Sequence, residues 1–75
     1  MTPDQIRTAM HTQPFRAFTV FLADGRTFLV RHPDFISLGP RGREVVIHDD
    51  DGMHLIDLGL VLSVCVPEPQ AALGP

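Results

Sequence analysis

The sequence contains no lysine and only one cysteine, and both shortages narrow what the chain can do. Six arginines face nine acidic side chains, for a formal net charge of -3 with the histidines neutral. The basic excess of a general nucleic-acid binder is missing. With Cys65 alone, no internal disulfide can form. A lone thiol in an apolar stretch fits a reducing compartment, where it packs as a small hydrophobe. A long hydrophobic run is also lacking. The longest, near the C-terminal end, is interrupted by Gly59 and Ser63, and it falls short of the ~18 residues a membrane helix needs. Met1-Thr2-Pro3-Asp4 is polar and acidic, without the basic region and apolar core of a secretory leader. A cytoplasmic location without membrane contact is therefore expected.

Seventy-five residues suffice for one domain. A domain of this size buries only ~60% of its unfolded surface. Small folds of this kind often add a disulfide, a metal or a partner subunit.

Thr2-Pro3-Asp4-Gln5 is a helix start. Thr2 is the N-cap, Pro3 takes the first helical position, and Gln5 completes a capping box. Asp4 sits where the helix dipole favours negative charge. Ile6, Ala9 and Met10 then form one apolar face. Pro14 ends the helix by about Thr12, because the residue before a proline avoids helical angles. A helix of ~10 residues does not stand alone in water, so this stripe must dock.

From there the pattern turns to strands. Phe18 to Ala23 places Phe18, Val20 and Leu22 on one face. Asp24-Gly25 is a hairpin turn, and Thr27 to His32 returns with Phe28 and Val30 aligned. His32-Pro33 breaks or bends that strand. Phe35 to Leu38 is a short strand or a continuation. Strands follow at Arg43 to His48 and at Met53 to Asp57, across the turn Asp49-Asp50-Asp51-Gly52. Leu58 to Leu60 reads as a single helical turn and Ser63 to Val66 as the last strand. The expected fold is mainly β with one N-terminal helix: a small, strongly bent antiparallel barrel or roll of five to six strands. Residues 1–66 form this one domain. The tail from Pro67 to Pro75, with three prolines, is expected to be mobile.

Pro14-Phe15-Arg16-Ala17-Phe18-Thr19, Leu22-Ala23-Asp24-Gly25-Arg26, His32-Pro33-Asp34-Phe35 and Ile56-Asp57-Leu58 resemble a group of short bacterial proteins of unknown function. That resemblance implies no activity. Phe18 to Gly25, Ile36-Ser37-Leu38 and the closing apolar strand are also similar to the Sm-like proteins. The likeness implies an Sm-like or SH3-like barrel behind a leading helix. Its RNA-contacting positions do not carry over. Where the bacterial RNA-chaperone ring has a Tyr-Lys-His run, this chain has Asp57-Leu58-Gly59, which can neither pair a phosphate nor stack a base.

Residues that bear chemistry are few. His48, Asp49, Asp50, Asp51 and His54 gather around one turn, and imidazoles with carboxylates can bind a divalent cation. Aspartates also favour turns simply by bonding nearby amides. The position six after Gly52, where a calcium loop needs glutamate, is Leu58. No metal and no cofactor is expected. His32 with Asp34 resembles a base and its orienting acid, yet no serine or cysteine lies near them in sequence. No catalytic residue is assigned, and the chain is not expected to be an enzyme. Arg16, Arg26, Arg31, Arg41 and Arg43 are dispersed over several turns, which suits solubility better than a nucleic-acid patch.

The C-terminal apolar group is the most informative. By strict alternation Leu62, Val64 and Val66 share one face of the last strand, and Val61 and Cys65 the other, with only Ser63 polar. A half-solvated strand should alternate apolar with polar. Either the helix or another subunit covers the second face. Leu60, Val61, Leu62, Val64 and Val66 are the candidate self-association strand. The expected function is a non-enzymatic interaction or structural module that forms a homo-oligomer. A small Sm-like nucleic-acid-binding or regulatory protein is the alternative, and another protein partner is compatible with the first reading.

Overall fold

The computed structural model describes residues 1–68. All but the first two residues of the expected mobile tail, positions 69–75, lie outside the described residues.

The first element, α1 (Pro3–Met10), begins as its sequence dictates. The Thr2 hydroxyl accepts from the Gln5 amide at 3.3 Å, and the Gln5 side chain accepts from the Thr2 amide at 2.8 Å. The helix stops at Met10, two residues earlier than its pattern allows, and His11 closes it by donating its amide to the Arg7 carbonyl. Ile6 and Ala9 are buried and Met10 is half-buried against the core. Met10 falls short of the full burial its place on the apolar stripe leads one to expect.

Six strands follow: β1 (Phe18–Leu22), β2 (Thr27–Val30), β3 (Ile36–Leu38), β4 (Glu44–Asp49), β5 (Gly52–Asp57) and β6 (Val61–Cys65). Burial alternates along β1, with Phe18, Val20 and Leu22 inward. The β1–β2 turn is closed by Gly25, which adopts φ +93° and donates to the Leu22 carbonyl. An L side chain rarely adopts that φ.

Both longer crossings use the same local device. After β2, the chain makes a 3-10 turn at Pro33–Phe35, with the His32 Nδ1 accepting from the Asp34 amide at 3.1 Å. After β5 it makes a second at Leu58–Leu60, with the Asp57 carboxylate accepting from the Gly59 amide at 2.8 Å. These turns divide the strands into two three-stranded antiparallel sheets, ordered β2-β1-β6 and β3-β4-β5. No ladder joins β2 to β3 or β5 to β6 among the described residues, so the sheets do not close into a barrel. The expected barrel overlooked the caps at His32 and Asp57, which interrupt both strand pairs at the point where a closed sheet would continue.

The inner faces of both sheets share one apolar cluster. Phe18, Val20 and Val30 of the first sheet and Val45 and Ile47 of the second are fully buried, together with Ile6 of α1. The helix is fixed at its start by the β3–β4 turn. Gly42 there has φ +70°, and a Cβ on it would lie 2.6 Å from the Pro3 ring.

The last strand departs from strict alternation. β6 pairs with β1 through Thr19 and Cys65, Val20 and Val64, Phe21 and Ser63, then Leu22 and Val61. The register skips Leu62, which is the extra residue of a β-bulge. Val61 therefore turns inward on the same side as Val64 and is 2% exposed, while Leu62 is turned out. The expected grouping of Leu62 with Val64 and Val66, opposite Val61, is corrected by this one-residue insertion. Cys65, expected to pack inside, is exposed.

Replacing Ile6 by alanine is expected to cost about 2–5 kcal/mol, since the side chain is fully enclosed. Met10→Ala should cost clearly less, because Met10 is only half-buried. Urea midpoints of the two variants check the order, and equal midpoints would contradict the docking described.

Candidate functional site

Two regions carry side chains that packing does not account for. The first is the outer face of the β2-β1-β6 sheet. Pairing aligns Leu29, Thr19 and Cys65 in one row, and Thr27, Phe21 and Ser63 in the next. None of these six positions is charged. Leu62 projects from the bulge beside them and is 67% exposed, with Leu29 at 50%. The other sheet presents a different face. There Val46 and Leu55 form a pair, but Glu44 stands opposite Asp57, and His48 opposite Met53.

Of the candidate strand residues, Leu62 and Leu60 reach the surface, Leu60 on the 3-10 turn before β6. Val61 is in the core, and Val64 and Val66 are half-buried against it. Val64 and Val66 instead line a shallow groove with Ala9, Thr8 and Arg16, between α1 and β6. Arg16 donates to the Pro67 carbonyl at 2.8 Å and so ties down the chain leaving β6. The bulge turns Val61 into the core, while Leu62, Ser63 and Cys65 stay exposed.

The second region is a cleft of about 340 Å³ where the two sheets meet at the β4–β5 turn. Phe28, Leu29 and Phe35 line one side, and Asp49, Asp50 and Asp51 the other. Arg31 and His48 also reach it. The acidic turn is built locally: the Asp49 carboxylate accepts from the Asp51 amide at 2.9 Å and lies 3.0 Å from the His54 Nε2. His54 stacks on Phe28 with ring centroids 4.7 Å apart. Burial raises the Asp49 carboxyl, but the His54 hydrogen bond, the Asp51 and Gly52 amides and the His54 charge outweigh it. Its pKa therefore lies below the ordinary 3.8. At the β1–β2 turn, Asp24 is likewise held low, first by the Arg26 amide and then by the Arg26 guanidinium.

The His48–Asp51 turn and His54 thus come together only in part. Asp49 and His54 pair, whereas no group of three His, Cys, Asp or Glu side chains converges to hold a metal ion among the described residues. His32 and Asp34 lie 3.6 Å apart and are exposed, with the His32 Nδ1 engaged by a backbone amide. The arginines are dispersed: Arg7 pairs Asp4, Arg26 pairs Asp24, and Arg16 holds Pro67. The Phe28–His54 stack and the part played by Phe35 and Arg31 are not visible in the sequence. The one available signal was the placement of Asp49 and His54 astride a tight turn, which puts them on one face of a hairpin.

Compared with family models, curated proteins and solved structures, the chain matches none of them. No helix among the described residues is long and apolar enough to cross a membrane.

His54→Ala is expected to move the Asp49 pKa upward toward 3.8, read from the carboxyl resonance in an NMR titration. The sign follows from the depressed folded value. Asp49 adds stability above its unfolded pKa, and that increment is lost as pH falls through the lower folded one. The variant should therefore lose less stability on acidification than the wild type. An unmoved Asp49 resonance would contradict the pairing. Chelator should leave the melting temperature unchanged, and a rise of several degrees on adding zinc or calcium would contradict that expectation.

Proposed function

We propose that this chain is a non-enzymatic interaction module that self-associates through the outer face of its β2-β1-β6 sheet. The observation that carries this reading is the lack of charge at all six paired positions of that face, with Leu62 standing 67% exposed beside it. The polar side chains of this solvated face are only the small hydroxyls of Thr19, Thr27 and Ser63, interleaved with Leu29, Phe21 and Cys65. Contiguous exposed apolar surface ordinarily marks a contact site. Among the described residues β6 also pairs with only one neighbour, so its far edge offers backbone donors and acceptors with no charged side chain from Val61 to Cys65. A two-fold dimer, in which the same patch meets itself, is the simplest assembly.

The same reading takes the fold as an open, strongly bent roll of the SH3-like or Sm-like kind. In it the Pro33–Phe35 turn carries the chain from β2 to β3, and the Leu58–Leu60 turn leads into the closing strand. The nucleic-acid alternative is weakened because three arginines are already held by Asp4, Asp24 and the Pro67 carbonyl. The chemistry of catalysis has no support either. The only imidazole–carboxylate pairs, among the described residues, are Asp49 with His54 and Asp34 with His32, and no nucleophile is hydrogen-bonded to either histidine.

Sedimentation equilibrium over rising concentration tests the proposal. The wild-type chain should show a mass increasing above that of a monomer, and Leu62→Glu should stay monomeric with an unchanged melting temperature. Val61→Glu serves as the contrast. It places a charge in the core and should unfold the protein outright. A wild-type monomer at high micromolar concentration would overturn the proposal. Submicromolar RNA binding at physiological salt would favour the Sm-like alternative.

A further inference from the structure

The geometry points to a second binding surface: the cleft beside β2 takes an extended peptide segment of a partner that carries an arginine or lysine side chain. Thr27, Phe28 and Leu29 are consecutive residues of one strand, so their side chains alternate between the two faces of the sheet. All three line the cleft, and no residue of β1 does. The wall of the cleft is therefore the edge of β2 itself, on the side away from β1. Among the described residues β2 has only one strand neighbour. In an antiparallel ladder every second residue then directs its N–H and C=O outward, ready to pair with an added strand.

Charge decides the occupant. The opposite wall is Asp49, Asp50 and Asp51. Asp49 is held by His54, but Asp50 and Asp51 form no ion pair among the described residues. Three carboxylates against the one guanidinium of Arg31 make the cleft negative, which repels phosphates and favours a cation. On the β2 side Phe35 is 45% exposed and Leu29 half-exposed, an apolar step for the stem of a long basic side chain and a ring face for its charge. A strand pairing on β2 thus presents alternate side chains to an apolar step and an acidic wall. This surface shares Thr27 and Leu29 with the outer face but does not include Leu62, so Leu62→Glu should retain it.

The probe is an acetylated, amidated hexapeptide of alternating valine and arginine, titrated into the full chain labelled with nitrogen-15. The control replaces each arginine by glutamate. Amide shifts should concentrate at Thr27–Arg31 and Asp49–Asp51, and the arginine peptide should bind about tenfold or more tightly than the glutamate one. The double variant Asp50→Asn, Asp51→Asn should erase most of that preference and keep its fold, since both side chains are exposed. Agmatine alone, which carries the guanidinium without a peptide backbone, should bind far more weakly than the arginine peptide. Shifts confined to other surfaces, no shifts at millimolar peptide, equal binding of both peptides, or agmatine binding as well as the arginine peptide would each overturn the inference.

Discussion

The structure depends on one shared apolar cluster, because neither three-stranded sheet can hide its inner face alone. Phe18, Val20 and Val30 on one side and Val45 and Ile47 on the other are fully buried only when the sheets face each other, with Ile6 of α1 beside them. The chain must cross between the sheets twice to bring this about. It does so with two 3-10 turns of the same construction, a side chain at the cap accepting the amide two residues on. The second crossing is then anchored from outside at both ends: Leu58 donates to the Arg43 carbonyl, and the Leu60 carbonyl accepts from the Ala23 amide. A domain of this size has little apolar area to spare, and these backbone ties substitute for absent disulfides.

The bulge at Leu62 links that packing to function. A strand of strict alternation would put Val61 and Cys65 on one face and Leu62 and Val64 on the other. With one residue inserted, Val61 and Val64 both face the core, and Leu62 is expelled to the surface. A single irregularity thus fills the core twice over and creates the most prominent apolar side chain on the outer face of its sheet. Bulges at sheet edges commonly re-aim a side chain in this way.

Much of this was legible in the residues. The capping box at Thr2 and Gln5, the Asp24-Gly25 hairpin, the alternation of Phe18, Val20 and Leu22, and the helical turn at Leu58–Leu60 are local signals, and local chemistry determines them. The misplacements share a different cause. Val61 and Leu62 were assigned to the wrong sides relative to Val64 because parity counting has no way to detect an inserted residue, whereas Cys65 does lie opposite Val64 but on the exposed face. The closed barrel was expected because His32-Pro33 reads equally as a bend or a break, and only the Nδ1 bond to Asp34 decides for the break. The cleft joins Phe28 to Asp49 and His54 across two sheets, and sequence spacing does not carry such distant juxtapositions.

Cys65 provides the most direct test of the central claim, that the outer face of the β2-β1-β6 sheet is a contact between copies of the chain. Its thiol stands in the row with Thr19 and Leu29, exposed in the single chain. Its alkylation rate, measured with a fixed large excess of iodoacetamide over a wide range of protein concentration, reads the covering of that face. The account predicts a rate constant that falls as the protein is concentrated, and that stays flat for Leu62→Glu. A wild-type rate constant independent of concentration would contradict it.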